Sequence, residues 1–147
     1  MATGERLADP YRGYHFRIEI DGIDRGGFRE CSGLDSTQDP LEYREGNEGL
    51  TARKMPGLNK YSNISLKRGI TDDATLWDWR KKAIDGTVER KTGSIIHLDE
   101  TGQDKARYNF TNGWPTKYTG PTFNATGNEV AIETLEIAHE GLVKEKA

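Results

Sequence analysis

Cysteine is nearly missing. Cys31 stands alone in 147 residues. That excludes an internal disulfide and any zinc site built from several cysteines. A lone cysteine in a strand-like segment reads as a small buried apolar group. Long apolar runs are missing too. No segment approaches the ~18 apolar residues of a membrane span. The opening MATGERLADPYRGYHF lacks the apolar stretch of a signal peptide, so synthesis and folding in the cytoplasm are the expectation. Charge of one sign is nowhere concentrated: 21 basic and 24 acidic residues are spread along the chain, for a net charge of −3. Without a basic block nothing calls for nucleic-acid recognition. Asn63, Asn109 and Asn124 open Asn-x-Ser/Thr triplets, which read as chance matches.

Catalytic patterns are absent as well. There is no GxxxxGK, no GxSxG and no HExxH. His139-Glu140 lacks a second histidine at metal-binding spacing. DETGQD, from Asp99 to Asp104, has the wrong ligand spacing for a calcium loop and reads as a turn. His97 and Asp99 share a strand face as ordinary surface groups. The chain is therefore read as no enzyme, with no metal or cofactor implied.

What remains is a thin core with ordered patterning. Hydrophobic residues make up 33% and charged residues 31%. A chain of this length buries roughly 68–70% of its unfolded surface and points to one domain, residues 1–147. Three tryptophans, six tyrosines and four phenylalanines argue against disorder. Two readings stay open. Either neighbouring subunits supply part of the stability, or a small core carries generous polar loops.

The pattern is mostly β. In YHFRIEI, Tyr14, Phe16, Ile18 and Ile20 alternate with His15, Arg17 and Glu19, a half-buried strand with a polar face. Asp-Gly follows as a turn. Phe28–Leu34 and Leu41–Glu45 read as further strands, with Pro40 at an edge or bulge. Strand pattern returns with Ile64 and Leu66. Between them lies Gly46–Lys60, rich in glycine and polar residues and without apolar period. Connections in compact domains are usually about 4–6 residues, so an arm this long is either disordered or has work outside its own core. TDDATLWDWRKKAIDG, residues 71–86, predicts one helix. Thr71 or Asp72 caps it, Gly86 ends it, and Leu76, Trp77, Trp79, Ala83 and Ile84 form its core-facing side. Val88–Asp99 predicts a strand with a bulge at Gly93. ARYNFTNGW predicts another, left through Pro115. NEVAIETLEIAHEGL predicts one long last strand whose apolar phase shifts between Ile132 and Leu135, the mark of a bulge or of a change of packing partner. The sum is an antiparallel β domain with one helix. Its edge strands invite pairing with another chain. If that pairing is head-to-tail and closes, it makes a ring; an isolated β-sandwich fits the same pattern.

Residue by residue, the chain resembles the inner tube proteins of contractile injection systems, in phage tails and in extracellular phage-like particles. DPYRGYHFRIEIDG, GGFRECSGL, EYREGNE, RKMPGLNKYSNISLKRGIT, LWDWRK, TVERKTGSIIHLDETG, RYNFTNGWPTKYTGP and GNEVAIETLEIAHEGL carry the likeness, in order, over nearly the whole chain. WPTKY and AHEGL favour this branch over the tube protein of type VI secretion. The resemblance implies a β-barrel or sandwich with a flanking helix. It implies hexameric rings stacked into a hollow tube, whose sheets join between subunits. It also implies partners: the sheath protein, baseplate and tube-initiator proteins, and cargo in the lumen. It places Gly46–Lys60 at the ring-to-ring contact. Met55, Pro56, Gly57 and Leu58 are then expected to stack, with Glu45, Glu48, Arg53 and Lys54 as charge partners. His15, Arg17 and Glu19 are expected to face the lumen, the alternative being the sheath side. The rival reading is a soluble β-barrel module that binds a sugar or peptide through aromatics gathered in one concave site.

Overall fold

A computed structural model describes residues 15–23, 27–43, 46, 49 and 52–146. The chain runs β1 (Phe16–Ile20), β2 (Phe28–Ser32), β3 (Ser36–Tyr43), β4 (Arg53–Tyr61), β5 (Ile64–Gly69), α1 (Thr75–Ile84), β6 (Lys91–Leu98), β7 (Asp104–Thr119), β8 (Ile132–Ala138) and β9 (Gly141–Lys146). Every pairing is antiparallel.

β7 organises the body. Its first half pairs with β6 and β9, and its second half pairs with β8. One strand therefore belongs to two layers, β1–β6–β7–β9 and β7–β8–β5–β2. The layers close on one core, formed by Ile18, Ile20, Ile95 and Phe110 from the first and Ile64, Leu66, Leu135 and Ile137 from the second. The switch falls at Asn112, whose φ of 53° is the left-handed conformation that asparagine tolerates. Beside it Gly113 is buried, because a Cβ there would stand 2.5 Å from Phe110 Cε1. Sequence reading had the chain leave its strand at Pro115. It does not: β7 continues to Thr119, and Pro115 is tolerated because this half of β7 is an edge of the second layer.

The closing segment also differs from expectation. NEVAIETLEIAHEGL is not one strand but β8 and β9, divided at His139-Glu140. Nor does β8 bulge. It runs against β5 in unbroken register from Ile64–Ile137 to Gly69–Ile132. The core-facing position where the apolar phase fails is Glu133, buried at 5% exposure. Its partner across the ladder is Arg68, buried at 2%. Arg68 donates to Glu133 Oε1 from Nη2 (2.9 Å) and Nε (3.1 Å), and Tyr118 donates to Glu133 Oε2 at 2.6 Å. Arg68 Nη1 also reaches Asp73 Oδ2 at 3.1 Å, and its guanidinium lies over Phe28. A phase break in sequence was a buried ion pair in structure.

That network also sets the helix. α1 begins at Thr75, later than predicted, and neither Thr71 nor Asp72 caps it. The carboxylate held by Arg68 does the work instead: Asp73 accepts the Thr75 N–H (3.0 Å) and hydroxyl (3.2 Å). Those hydrogen bonds and Arg68 hold the Asp73 pKa below the ordinary carboxylate range. Gly86, at φ 90°, ends the helix as expected. Leu76 and Trp79 are buried, and Trp79 Nε1 donates to the Glu89 carbonyl at 2.8 Å. Trp77 and Ile84, expected in the core, are 42% and 56% exposed, and Ala83 is half-buried. A ten-residue helix on this core seals only a narrow stripe. Trp77 sits at its margin, edge-on to Tyr118 at 5.1 Å.

Gly93 lies at the expected register shift, and its reason is steric: a Cβ would meet Phe110 Cζ at 2.5 Å and Ile20 Cγ1 at 2.7 Å. Cys31 is half-buried against the core; burial, and then Glu30, push its thiol up to about 12, which suits an unreactive packing group.

Removing Glu133 leaves Arg68 buried with half its partners. Glu133→Ala is expected to cost about 3–5 kcal/mol in denaturant unfolding of the isolated protomer; a loss below about 1 kcal/mol, the size of a surface pair, would show that the pair is not what joins β5 to β8. Burial and the bond to Glu133 raise the Tyr118 hydroxyl to about 12, from an ordinary 10.0. A proton held more tightly when folded stabilises below pH 10, and that contribution is lost as pH rises toward 12. Unfolding midpoints should fall across that window in the wild type and fall less in Tyr118→Phe.

Candidate assembly surfaces

Three surfaces of the protomer are candidates for assembly contacts. The first is the β3–β4 hairpin, a two-stranded sheet separate from the main body. Sequence reading had Gly46–Lys60 as an arm without pattern. Its second half is strand, paired along β3 from Ser36–Tyr61 to Tyr43–Arg53. The pattern was unreadable because nearly every residue of both strands is exposed, and no buried face imposes alternation. Glu45 and Glu48 lie outside the described residues.

The hairpin nevertheless has two unlike faces. Leu41 stands opposite Met55, and Tyr43 opposite Arg53, all on one side. Pro40 opposes Pro56, and Glu42 opposes Lys54, on the other. Gln38 pairs with Asn59 while Pro40 pairs with Pro56, so β4 carries one extra residue at Gly57–Leu58. Counting alternation through that bulge returns Leu58 to the side of Leu41 and Met55. Leu41, Tyr43, Met55 and Leu58 are all exposed, Leu58 to 78%. The expected contact residues are thus divided: Met55, Leu58 and Arg53 share the apolar side, and Lys54 and Pro56 lie on the back. Leu41 and Tyr43 complete that side. Sequence reading missed them because it left the arm unpaired, although their two-residue spacing was visible.

Gly57 is held by close approach. A Cβ there would stand 2.5 Å from the Asp39 carbonyl oxygen. Gln38 Nε2 donates to the Gly57 carbonyl at 2.9 Å, and Lys60 pairs with Asp39 at 2.8 Å.

The second surface is the outer face of the first layer. His15, Arg17 and Glu19 share it, as predicted. Arg17 bonds Asp104 Oδ2 at 2.9 Å and Glu19 Oε1 at 3.2 Å, and Arg107 Nη1 lies 3.6 Å from Glu19 Oε2. Ser94 donates to Asn109 Oδ1 at 2.6 Å, and Asn109 donates to Glu145 at 2.8 Å. His15 Nδ1 meets the Asp99 carbonyl at 2.9 Å. Ile96, paired with Arg17 and Arg107, faces this side yet is fully buried beneath their stems. Asp104, Arg107, Asn109 and Glu145 come from strands distant in sequence, so only the fold could reveal the lattice. Its charges of both signs satisfy one another, and surface pairs of this kind are each worth about 0–1 kcal/mol.

The third surface is the set of sheet edges. Among the described residues the first layer ends on β1 and β9, and the second on β2 and the far half of β7. Such edges carry backbone donors and acceptors with no partner along the sheet. Among the described residues no cluster of three or more His, Cys, Asp or Glu is placed to hold a metal, and no helix is long and apolar enough to cross a membrane. The larger of two described cavities, about 500 Å³, lies between Lys67, Thr134 and the loop after β7; no aromatic lines it.

A two-layer antiparallel β body with one flanking helix, a separate hairpin and edges open among the described residues suits a structural subunit completed by copies of itself. The model of the T4-like virus tail tube protein gp19 family matches residues 12–143, and the chain belongs to that family. It is 29% identical, with a TM-score of 0.84, to a chain of an extracellular contractile injection system, the PVC sheath-tube complex in the extended state, over 94% of this chain and 93% of that one. It is 28% identical, also at 0.84, to a chain of the anti-feeding prophage cap, the AFP tube terminating cap, over 99% and 97%. Hcp1 from Flavobacterium johnsoniae shares the fold alone: 16% identity and a TM-score of 0.58, over 91% and 97%. A search of curated proteins found no match. The expected tube-type fold, with one helix on antiparallel sheets, is thereby met.

Gly57→Ala should break the hairpin locally while sparing the body. Trypsin cleavage at Arg53, Lys54 and Lys60 is expected to accelerate with near-ultraviolet dichroism unchanged. Cleavage at the wild-type rate would show that the Asp39 approach is not a constraint.

Proposed function

We propose that this tail tube protein builds hexameric rings that stack into the hollow inner tube of a contractile injection particle, a tube driven through a target envelope when a surrounding sheath contracts. The observation that carries this reading is the hairpin: an apolar side with Leu41, Met55 and Leu58, each at least half exposed in the protomer. An isolated two-stranded sheet is marginal at best. A second ring laid on that side would cover it, with Arg53 at its margin. Open layer edges completed by identical neighbours would close each ring. The self-neutralised face of His15, Arg17 and Glu19 would then line the lumen, a wetted wall with little net charge toward cargo.

The printed setting of the PVC relative, a sheath-tube complex, supports a sheath partner for this chain as well. A baseplate with its tube initiator would stand at one end. The assembled particle is then extracellular after release, whereas the subunit is made in the cytoplasm. The binding-module reading needs aromatics in one concave site; the 500 Å³ cavity has none among its described lining residues, whereas the recess of about 210 Å³ under β2 carries Phe16 and Tyr108. The family match over residues 12–143 favours the tube.

Negative-stain microscopy of purified protein should show rings or tubes of one diameter. Met55→Asp should leave the protomer folded by circular dichroism but shorten or abolish tubes while rings persist. Tubes of normal length from that variant would remove the hairpin from the stacking contact. A clean monomer from the wild type at every concentration would remove the tube itself.

A further inference from the structure

A side chain outside the hairpin grips its root. His139 stands in the short break between β8 and β9. Its ring centroid lies 5.5 Å from that of Tyr61, the last residue of β4, and 6.1 Å from that of Phe110 in the core. Three rings thus run from the buried centre to the root of the hairpin. Beyond Tyr61, Ser62 opens the connection into β5.

The two nitrogens of His139 face the same kind of atom. Nδ1 lies 3.1 Å from the Gly141 carbonyl oxygen, and Nε2 lies 3.1 Å from the Ser62 carbonyl oxygen. Carbonyl oxygens only accept. A neutral imidazole has one N–H and serves one of them, which leaves a ring lone pair against the other oxygen. The imidazolium donates to both, in charge-assisted bonds. The charged groups nearby are engaged elsewhere. Glu140 accepts from Asn112 at 2.8 Å and pairs with Arg90 at 3.4 Å, and Lys60 on β4 pairs with Asp39 at 2.8 Å. From β4 the ring meets Tyr61, and from β7 it meets Phe110; among the described residues it makes no ion pair.

We propose that His139 is the positioning residue of the hairpin: as imidazolium it clips Ser62 to Gly141 and holds the hairpin root against the body, and on losing its proton it releases one of the two. Acid then firms the hairpin and base loosens it, across the range of about pH 5 to 8 in which histidine changes charge. The consequence for tubes rests on the stacking reading above. A hairpin already held in place has less freedom to lose when the next ring covers it. The clip itself belongs to the lone protomer and is tested there.

Amide exchange in free protomers, corrected for the intrinsic pH dependence of exchange, reads the clip at Ser36, Thr37, Lys60 and Tyr61, the paired residues of the hairpin root. Their protection is expected to be about three- to tenfold higher at about pH 5.5 than at about pH 8, the worth of one net hydrogen bond. His139→Gln keeps a donor but does not titrate. It should abolish the difference while the β5–β8 ladder stays protected. His15 and His97 remain in that variant, so a difference that survives it overturns the clip. Equal protection at the two pH values in the wild type overturns it as well. Should His139→Gln fail to fold, magnetic resonance of the wild-type histidine ring nitrogens at the acid pH decides. Two ring N–H groups shielded from exchange with water support the clip. One bare nitrogen, or two N–H groups exchanging freely, overturns it. None of these outcomes depends on assembly, so the clip and the tube stand or fall separately.

Discussion

A two-stranded sheet with leucine and methionine exposed on one side is marginal on its own. Its backbone ladder is complete only between its own strands, and its apolar side meets water. Hydrophobic burial is the main favourable term in folding and in association alike. What the protomer leaves uncovered in the hairpin is therefore available to drive contact with another copy. The same holds, in hydrogen bonds, for the edges β1, β2, β9 and the far half of β7, which have no outer partner among the described residues. The protomer is best understood as a rigid centre with unfinished margins.

The centre is rigid for reasons that are local and nameable. β7 threads both layers and turns at Asn112-Gly113 around the Phe110 ring. Arg68 and Glu133 tie β5 to β8 inside the core, Tyr118 ties in β7, and Asp73 carries the tie to the start of the helix. A buried pair of this kind is weak as a source of stability, since desolvation offsets most of the attraction. It spans β5 and β8 and, through Asp73, reaches the first residue of the helix. A subunit that must repeat identically around and along a tube needs that definition at its centre.

Much of this was legible in the sequence. The alternation of Tyr14 to Ile20 showed the polar face with His15, Arg17 and Glu19. Pro40 and Gly93 marked irregularities, and Gly86 marked the helix end. The resemblance spread over the chain pointed to the tube family. What failed did so for physical reasons. The hairpin hid because a sheet exposed on both faces has no hydrophobic period. The phase break in β8 looked like a bulge because a paired Arg68 and Glu133 can occupy core positions that pattern reading reserves for apolar residues. Trp77 and Ile84 looked like core because helical phase gives direction without telling how wide the covered stripe is. The lattice of Arg17, Asp104, Arg107 and Glu145 joins residues far apart in sequence.

Completion by neighbouring copies is open to amide hydrogen exchange. Free protomers and assembled particles should be compared over residues 36–61. In the protomer these amides should exchange nearly as fast as a frayed element, and assembly should slow them by orders of magnitude while the β5–β8 ladder changes little. Equal exchange in the two states, with the hairpin slow already in the lone protomer, would mean that its apolar side is satisfied without another copy.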